Sequence, residues 1–125
     1  MKNNRLLILA GTLALLLSSF FTTQAQAHAH LKSAEPAVES TVESAPGHLT
    51  LHFTEALEPE FSAADVTDSQ GNTVKTEKAV VDDTDKSVLI VPLEDVLPSG
   101  KYTVNWHVVA VDGHKTKGDY TFTVK

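Results

Sequence analysis

The stretch Gly100-Lys101-Tyr102-Thr103-Val104-Asn105-Trp106-His107-Val108-Val109 decides the fold of this 125-residue chain. From Lys101 onward, Tyr102, Val104, Trp106 and Val108 fall on one side and Thr103, Asn105, His107 and Val109 on the other. Successive side chains of a strand point to opposite faces, so this alternation describes a strand with one face buried and one wet. Trp106, the only tryptophan, is the strongest core anchor in the sequence.

The same period recurs on both sides. His48-Leu49-Thr50-Leu51-His52-Phe53-Thr54 alternates Leu49, Leu51 and Phe53 against His48, Thr50, His52 and Thr54, and Asp119 to Val124 sets Tyr120, Phe122 and Val124 against Thr121 and Thr123. Phe61 to Thr67 and Thr73 to Val81 read as a hairpin around Ser69-Gln70-Gly71-Asn72. Asp82-Asp83-Thr84-Asp85 forms a polar turn before the apolar run Ser87 to Val91, which Pro92 ends. With the segment around Leu31 to Glu35 this makes about seven strands, no sustained helical period, and the spacing of an all-β antiparallel sandwich. Tyr102, shortly after Leu97-Pro98-Ser99-Gly100, resembles the corner tyrosine of immunoglobulin-like sandwiches, a structural role.

Residues 1–27 do not belong to that domain. Lys2 and Arg5 precede an apolar stretch from Leu6 to Phe21, and a polar exit ends in Ala25-Gln26-Ala27, the layout of a cleaved secretory signal. The apolar run falls short of the roughly 20 residues that span a bilayer. No cysteine is present for lipoprotein processing, and no later segment is apolar enough to cross a membrane. The expected mature chain is residues 28–125, one soluble domain outside the cytoplasm, in the periplasm. Cleavage removes Lys2 and Arg5 and no acids, leaving 16 acids against eight bases, a formal charge of −8 with His neutral. That balance argues against nucleic acid or anionic lipid as partner. The absent cysteine also rules out disulfides, so stability rests on packing. The only Met is Met1, so a metal site in 28–125 must use nitrogen and oxygen donors, which excludes the soft ligands of Cu(I).

Cleavage before His28 would create a donor group that no interior residue offers: the free α-amine and the ring Nδ1 of one histidine, both able to bind one ion. Asp112 and His114, two residues apart around Gly113 in Val111-Asp112-Gly113-His114-Lys115, can face the same ion if the segment is extended. Amine, two imidazoles and a carboxylate suit tetragonal Cu(II), ahead of zinc, which prefers a tetrahedron, or nickel. Two features leave the donor set open. His30, third from the new terminus, can bind Cu(II) through its ring, the amine and two deprotonated amides, leaving His114 unused. Asp112 and His114 can equally be a solvated turn in which Asp caps backbone amides. His48, His52 and His107 sit on strand faces and are expected to be solvated or hydrogen-bonded, and Glu55, where a strand ends, reads by itself as surface.

His28-Ala29-His30-Leu31, Pro36-Ala37, Leu51-His52-Phe53-Thr54-Glu55, Phe61-Ser62, and Gly100 to Trp106 through Val111-Asp112-Gly113-His114 together resemble the CopC family of periplasmic copper-binding proteins. The resemblance runs in order through 28–125. It implies a seven-stranded Greek-key β-sandwich and one Cu(II) per chain held by His28, Asp112 and His114, with Glu55 matching a carboxylate that lies nearby in some members. It also implies a protein that buffers or delivers copper, with a CopD-like inner-membrane importer as partner; a monomer is expected. One departure narrows this: the founding members carry a Met-rich loop for Cu(I), and Val66 to Lys78 contains no Met. The chain therefore resembles the Cu(II)-only branch.

Two other classes of function remain open on the sequence. A terminal His paired with a second His is also the copper brace of oxidative polysaccharide-cleaving enzymes, which need an exposed aromatic platform. A metal-free sandwich for adhesion or scaffolding is permitted by the fold alone.

Overall fold

A computed structural model describes residues 28–125; the expected signal, 1–27, and the cut before His28 lie outside the described residues. The strands are β1 (Leu31–Glu35), β2 (Thr41–Val42), β3 (His48–Phe53), β4 (Ala63–Thr67), β5 (Thr73–Val74), β6 (Val80–Val81), β7 (Val88–Pro92), β8 (Gly100–Val109) and β9 (Lys115–Val124), with a 3-10 turn at Pro59–Phe61. One sheet has the order β1-β3-β7-β6 and the other β2-β9-β8-β4-β5. Their inner faces form the core of an all-β sandwich, as the alternation predicted.

The spine is the β8–β9 hairpin, paired without a break from Gly100↔Val124 to Val109↔Lys115. On its inner side Tyr102, Val104, Trp106, Val108, Tyr120, Phe122 and Val124 are buried, facing Leu49, Leu51 and Phe53 of β3 and Leu89 and Val91 of β7. Trp106 meets Phe53 across the two sheets edge to face, ring centroids 5.1 Å apart. Tyr102 stacks on Phe122 at 5.6 Å and donates its phenolic hydrogen to the Pro98 carbonyl at 2.6 Å, the corner bond expected of it. Such aromatic pairs add about 0.5–1.5 kcal/mol beyond the area they bury.

Three details of strand number and pairing differ from the sequence expectation, besides strand ends that shift at β4 and β9. The described residues hold nine strands rather than about seven, because β2, β5 and β6 are two-residue pieces. Thr73 to Val81 is not one strand. After β5 pairs with β4, the Glu77 amide donates to the Pro92 carbonyl and Thr76 bridges to Leu93, which carries the chain across to the other sheet, where β6 joins β7. Val74 and Val81 then cover the core from different sheets. Finally, β2 runs parallel to β9, while every other pairing among the described strands is antiparallel.

Candidate metal centre

The loop between β8 and β9 carries Asp112 and His114. It is closed by Gly113 N–H to the Ala110 carbonyl at 2.8 Å and Ala110 N–H to the His114 carbonyl at 3.0 Å. Gly113 has φ +90°, a conformation that side-chain-bearing residues avoid, so the glycine is what permits the reversal. Leu57, buried at the base, bridges to Ala110 and ties the loop to the segment after β3.

Within that loop Asp112 is bound to His114 twice. Its Oδ1 accepts the His114 backbone N–H at 3.1 Å, and its Oδ2 lies 2.9 Å from His114 Nδ1. The ring hydrogen bond, helped by the backbone one, holds the Asp112 carboxyl below the usual carboxylate range, so it is ionised at neutral pH. An ionised carboxylate on Nδ1 selects the tautomer with its proton there. That leaves Nε2, on the far side of the ring, with the lone pair a metal needs.

The second half of the centre arrives with the residues before β1. Ala29 is fully buried and its carbonyl accepts from Thr116 Oγ1 at 2.6 Å. Thr54, just past β3, receives the His30 N–H on its Oγ1 at 3.0 Å, donates its own N–H to the His30 carbonyl at 2.9 Å, and directs its hydroxyl to the His28 carbonyl at 3.3 Å. Residues 28–30 are thereby clamped between the end of β3 and the start of β9. The clamp brings the His28 ring to 4.7 Å from the His114 ring, the planes 40° apart, and the His30 ring to 6.3 Å from that of His28.

Of the residues singled out from the sequence, His28, Asp112 and His114 come together at one end of the sandwich, with His30 exposed beside them. Glu55 is exposed one residue beyond Thr54, and its carboxylate makes no hydrogen bond or ion pair among the described residues. His52 lies on the outer face of β3, 3.7 Å from Glu35; His48, at the start of that strand, and His107 on β8 are exposed. As placed, no three described His, Asp or Glu side chains form a ready metal cage. Asp112 Oδ2 is engaged with the His114 ring, and the α-amine of His28 becomes a donor only on cleavage before that residue. The donor types still fit Cu(II): two imidazole rings with centroids 4.7 Å apart, an ionised carboxylate, and no sulfur in residues 28–125.

Sequence reasoning missed Thr54 and Thr116. One lies just past the end of β3 and the other near the start of β9, and both are chemically silent until the fold shows that they hold the backbone of residues 28–30.

Fold and site define a class: a small all-β sandwich with a pair of histidines, one from the entering chain and one from a hairpin loop, joined at one end. A CopC domain matches residues 31–125. Protein YobA of Escherichia coli K12 is 50% identical over 113 residues, covering 90% of this chain and 91% of its own. The crystal structure of CopC from Methylosinus trichosporium OB3b superposes with a TM-score of 0.73 at 32% identity, over 78% of this chain and 94% of that one. That of PcoC, a methionine-rich copper resistance protein from Escherichia coli, gives 0.71 at 35%, over 79% and 100%. The chain belongs to the CopC family, and its relatives include copper resistance proteins.

Proposed function

We propose that this protein is an exported Cu(II) carrier that takes one ion per chain at the end of the sandwich where His28 and His114 meet, and that it buffers or delivers copper in the periplasm. The ligands in this reading are the α-amine and ring of His28, freed by cleavage, the Nε2 of His114, and Asp112. The observation that carries it is the 4.7 Å approach of the two rings, fixed by hydrogen bonds to the backbone of residues 28–30 rather than by the rings themselves. Asp112 serves either by staying on Nδ1 and orienting the ring or by releasing it and binding the ion directly. Its low proton affinity makes both available at neutral pH. Copper here is cargo, so the carrier acts as a monomer that hands the ion on, with a CopD-like importer in the inner membrane as the receiver implied by the family.

Binding rather than oxidative catalysis is favoured by where the aromatic rings lie. Of the six aromatic residues in 28–125, Phe53, Tyr102, Trp106, Tyr120 and Phe122 are in the core, which leaves Phe61 alone and no flat aromatic platform for a polysaccharide. The test compares protein recovered from the export compartment with the same protein carrying one extra residue before His28. The first is expected to hold one Cu(II), with a tetragonal nitrogen-rich EPR spectrum, and the second to bind at least about tenfold more weakly, having lost its amine. Equal copper in both would end the terminal-chelate reading.

A further inference from the structure

A second feature of the molecule is independent of copper. Beside the histidine pair, a groove of about 660 Å³ opens on the outer face of the five-stranded sheet. Its apolar lining is Phe61, a residue 66% exposed, with Ala63 and Val109. Its rim is basic: Lys78, Lys115, Lys117 and His107 stand around it against one acid, Glu60. Lys117 and His107 are direct cross-strand partners, as are Lys115 and Val109, the last rung before the loop that carries Asp112 and His114. Lys115 and Lys117 are consecutive outward residues of β9, and the acids of the same face, Asp119 and Asp65, lie beyond the groove on the far side of His107 and Lys117.

We propose that this groove docks an acidic segment of a partner protein, with an apolar side chain of that segment seated against Phe61. Charge complementarity selects the occupant. Three of the eight basic residues expected in the mature chain gather here, while residues 28–125 together carry a formal −8, so an acidic partner is repelled by the molecule's net charge and attracted by this patch. Concavity favours a segment over a membrane: the volume lies in the range of ligand clefts, roughly 300–1,000 Å³, and a flat lipid surface does not follow a groove. The lysine stems extend the apolar lining while their ammonium groups reach the acids of the segment. A partner held there lies one residue from His114, since Lys115 belongs to both the groove and the centre's flank.

The test is an NMR titration of the ¹⁵N-labelled exported protein, free of metal, with the acetylated peptide Asp-Glu-Leu-Asp-Phe-Glu-Asp at low and physiological salt. Shifts confined to residues 59–63, 107–109 and 115–117 are expected, with affinity falling as salt rises. The combined variant Lys78→Glu, Lys115→Glu, Lys117→Glu should weaken binding by roughly tenfold or more, and Phe61→Ser, a change at an exposed side chain, should weaken it at unaltered salt dependence. Shifts elsewhere, no shifts, or equal binding of the peptide with lysine at every acidic position would overturn the proposal. So would cosedimentation with phosphatidylglycerol vesicles that the peptide does not displace. Because the protein is metal-free throughout, failure here leaves the copper reading standing, and failure of the copper reading leaves this one to its own result.

Discussion

At the scale of single residues, the rival copper geometries differ in which histidine they need. A site built on the amine, His28 and the backbone toward His30 uses His30 and ignores His114; a site across the end of the sandwich does the reverse. The clamp on residues 28–30 bears on this, because the His30 amide nitrogen, which the first geometry would deprotonate and bind, already donates its hydrogen to Thr54 Oγ1 at 3.0 Å. Copper would have to break that bond. His114→Ala is therefore expected to lower Cu(II) affinity by about 100-fold or more, Asp112→Asn by about 10–100-fold through loss of orientation or a ligand, and His30→Ala by little. Isothermal competition with a chelator measures each; a large loss at His30 with none at His114 would move the site. The sequence singled out His28, Asp112 and His114 as candidate ligands because their donor chemistry is explicit in their side chains, and the structure brings the three to one end of the sandwich. That Asp112 spends Oδ2 on the ring of its neighbour was not legible there, because spacing predicts proximity and says nothing about which of two acceptors a hydrogen bond takes.

At the scale of elements, β9 shows where hydrophobic pattern stops informing. The alternation marks a strand from Asp119, yet β9 begins at Lys115 and pairs along its whole length with β8. The inward positions of its first half are Thr116 and Gly118, neither of them apolar in the way that builds a pattern. Thr116 faces in to bind the Ala29 carbonyl, and Gly118 faces in because Trp106 fills the space: a Cβ there would come within 2.4 Å of the indole ring. The core anchor was legible from Trp106 itself; the hole that receives it was written as an absent side chain. Gly118→Ala should cost about 1–3 kcal/mol, as overpacking does, unless the indole tilts away. Thermal unfolding reads the loss, and the near-ultraviolet signal of the lone tryptophan reads the tilt. An unchanged melting temperature with an unchanged tryptophan environment would contradict the close approach.

At the scale of the whole molecule, a chain without cysteine ties its connections with carboxylates. Asp68 spans the β4–β5 turn, accepting from the amides of Asn72 and Gln70 at 2.9 Å each and from the Asn72 side chain at 3.3 Å. Asp85 holds the β6–β7 connection through the hydroxyl and amide of Ser87, and Asp112 holds the β8–β9 loop through His114. Hydrogen bonds from those neighbours push all three below the ordinary carboxylate value, led by the Asn72 amide for Asp68, the Ser87 hydroxyl for Asp85 and the His114 ring for Asp112. A carboxyl that is more acidic folded than unfolded stabilises fully above its unfolded value, about 4, and loses that contribution as pH falls through the lower folded one. An opposite trend runs alongside, since acid also relieves the self-repulsion of the formal −8 carried by residues 28–125. The two separate in Asp68→Asn, which keeps a side-chain acceptor in the turn but removes the titrating charge. Its melting temperature should lie below that of the unaltered metal-free protein from pH 5 to 8, and the two curves should converge as pH falls below about 4, where Asp68 is itself becoming neutral. Parallel curves down to pH 2 would mean that the charge on Asp68 holds nothing, and that the turn is fixed by Gly71, at φ +83°, and its backbone bonds alone.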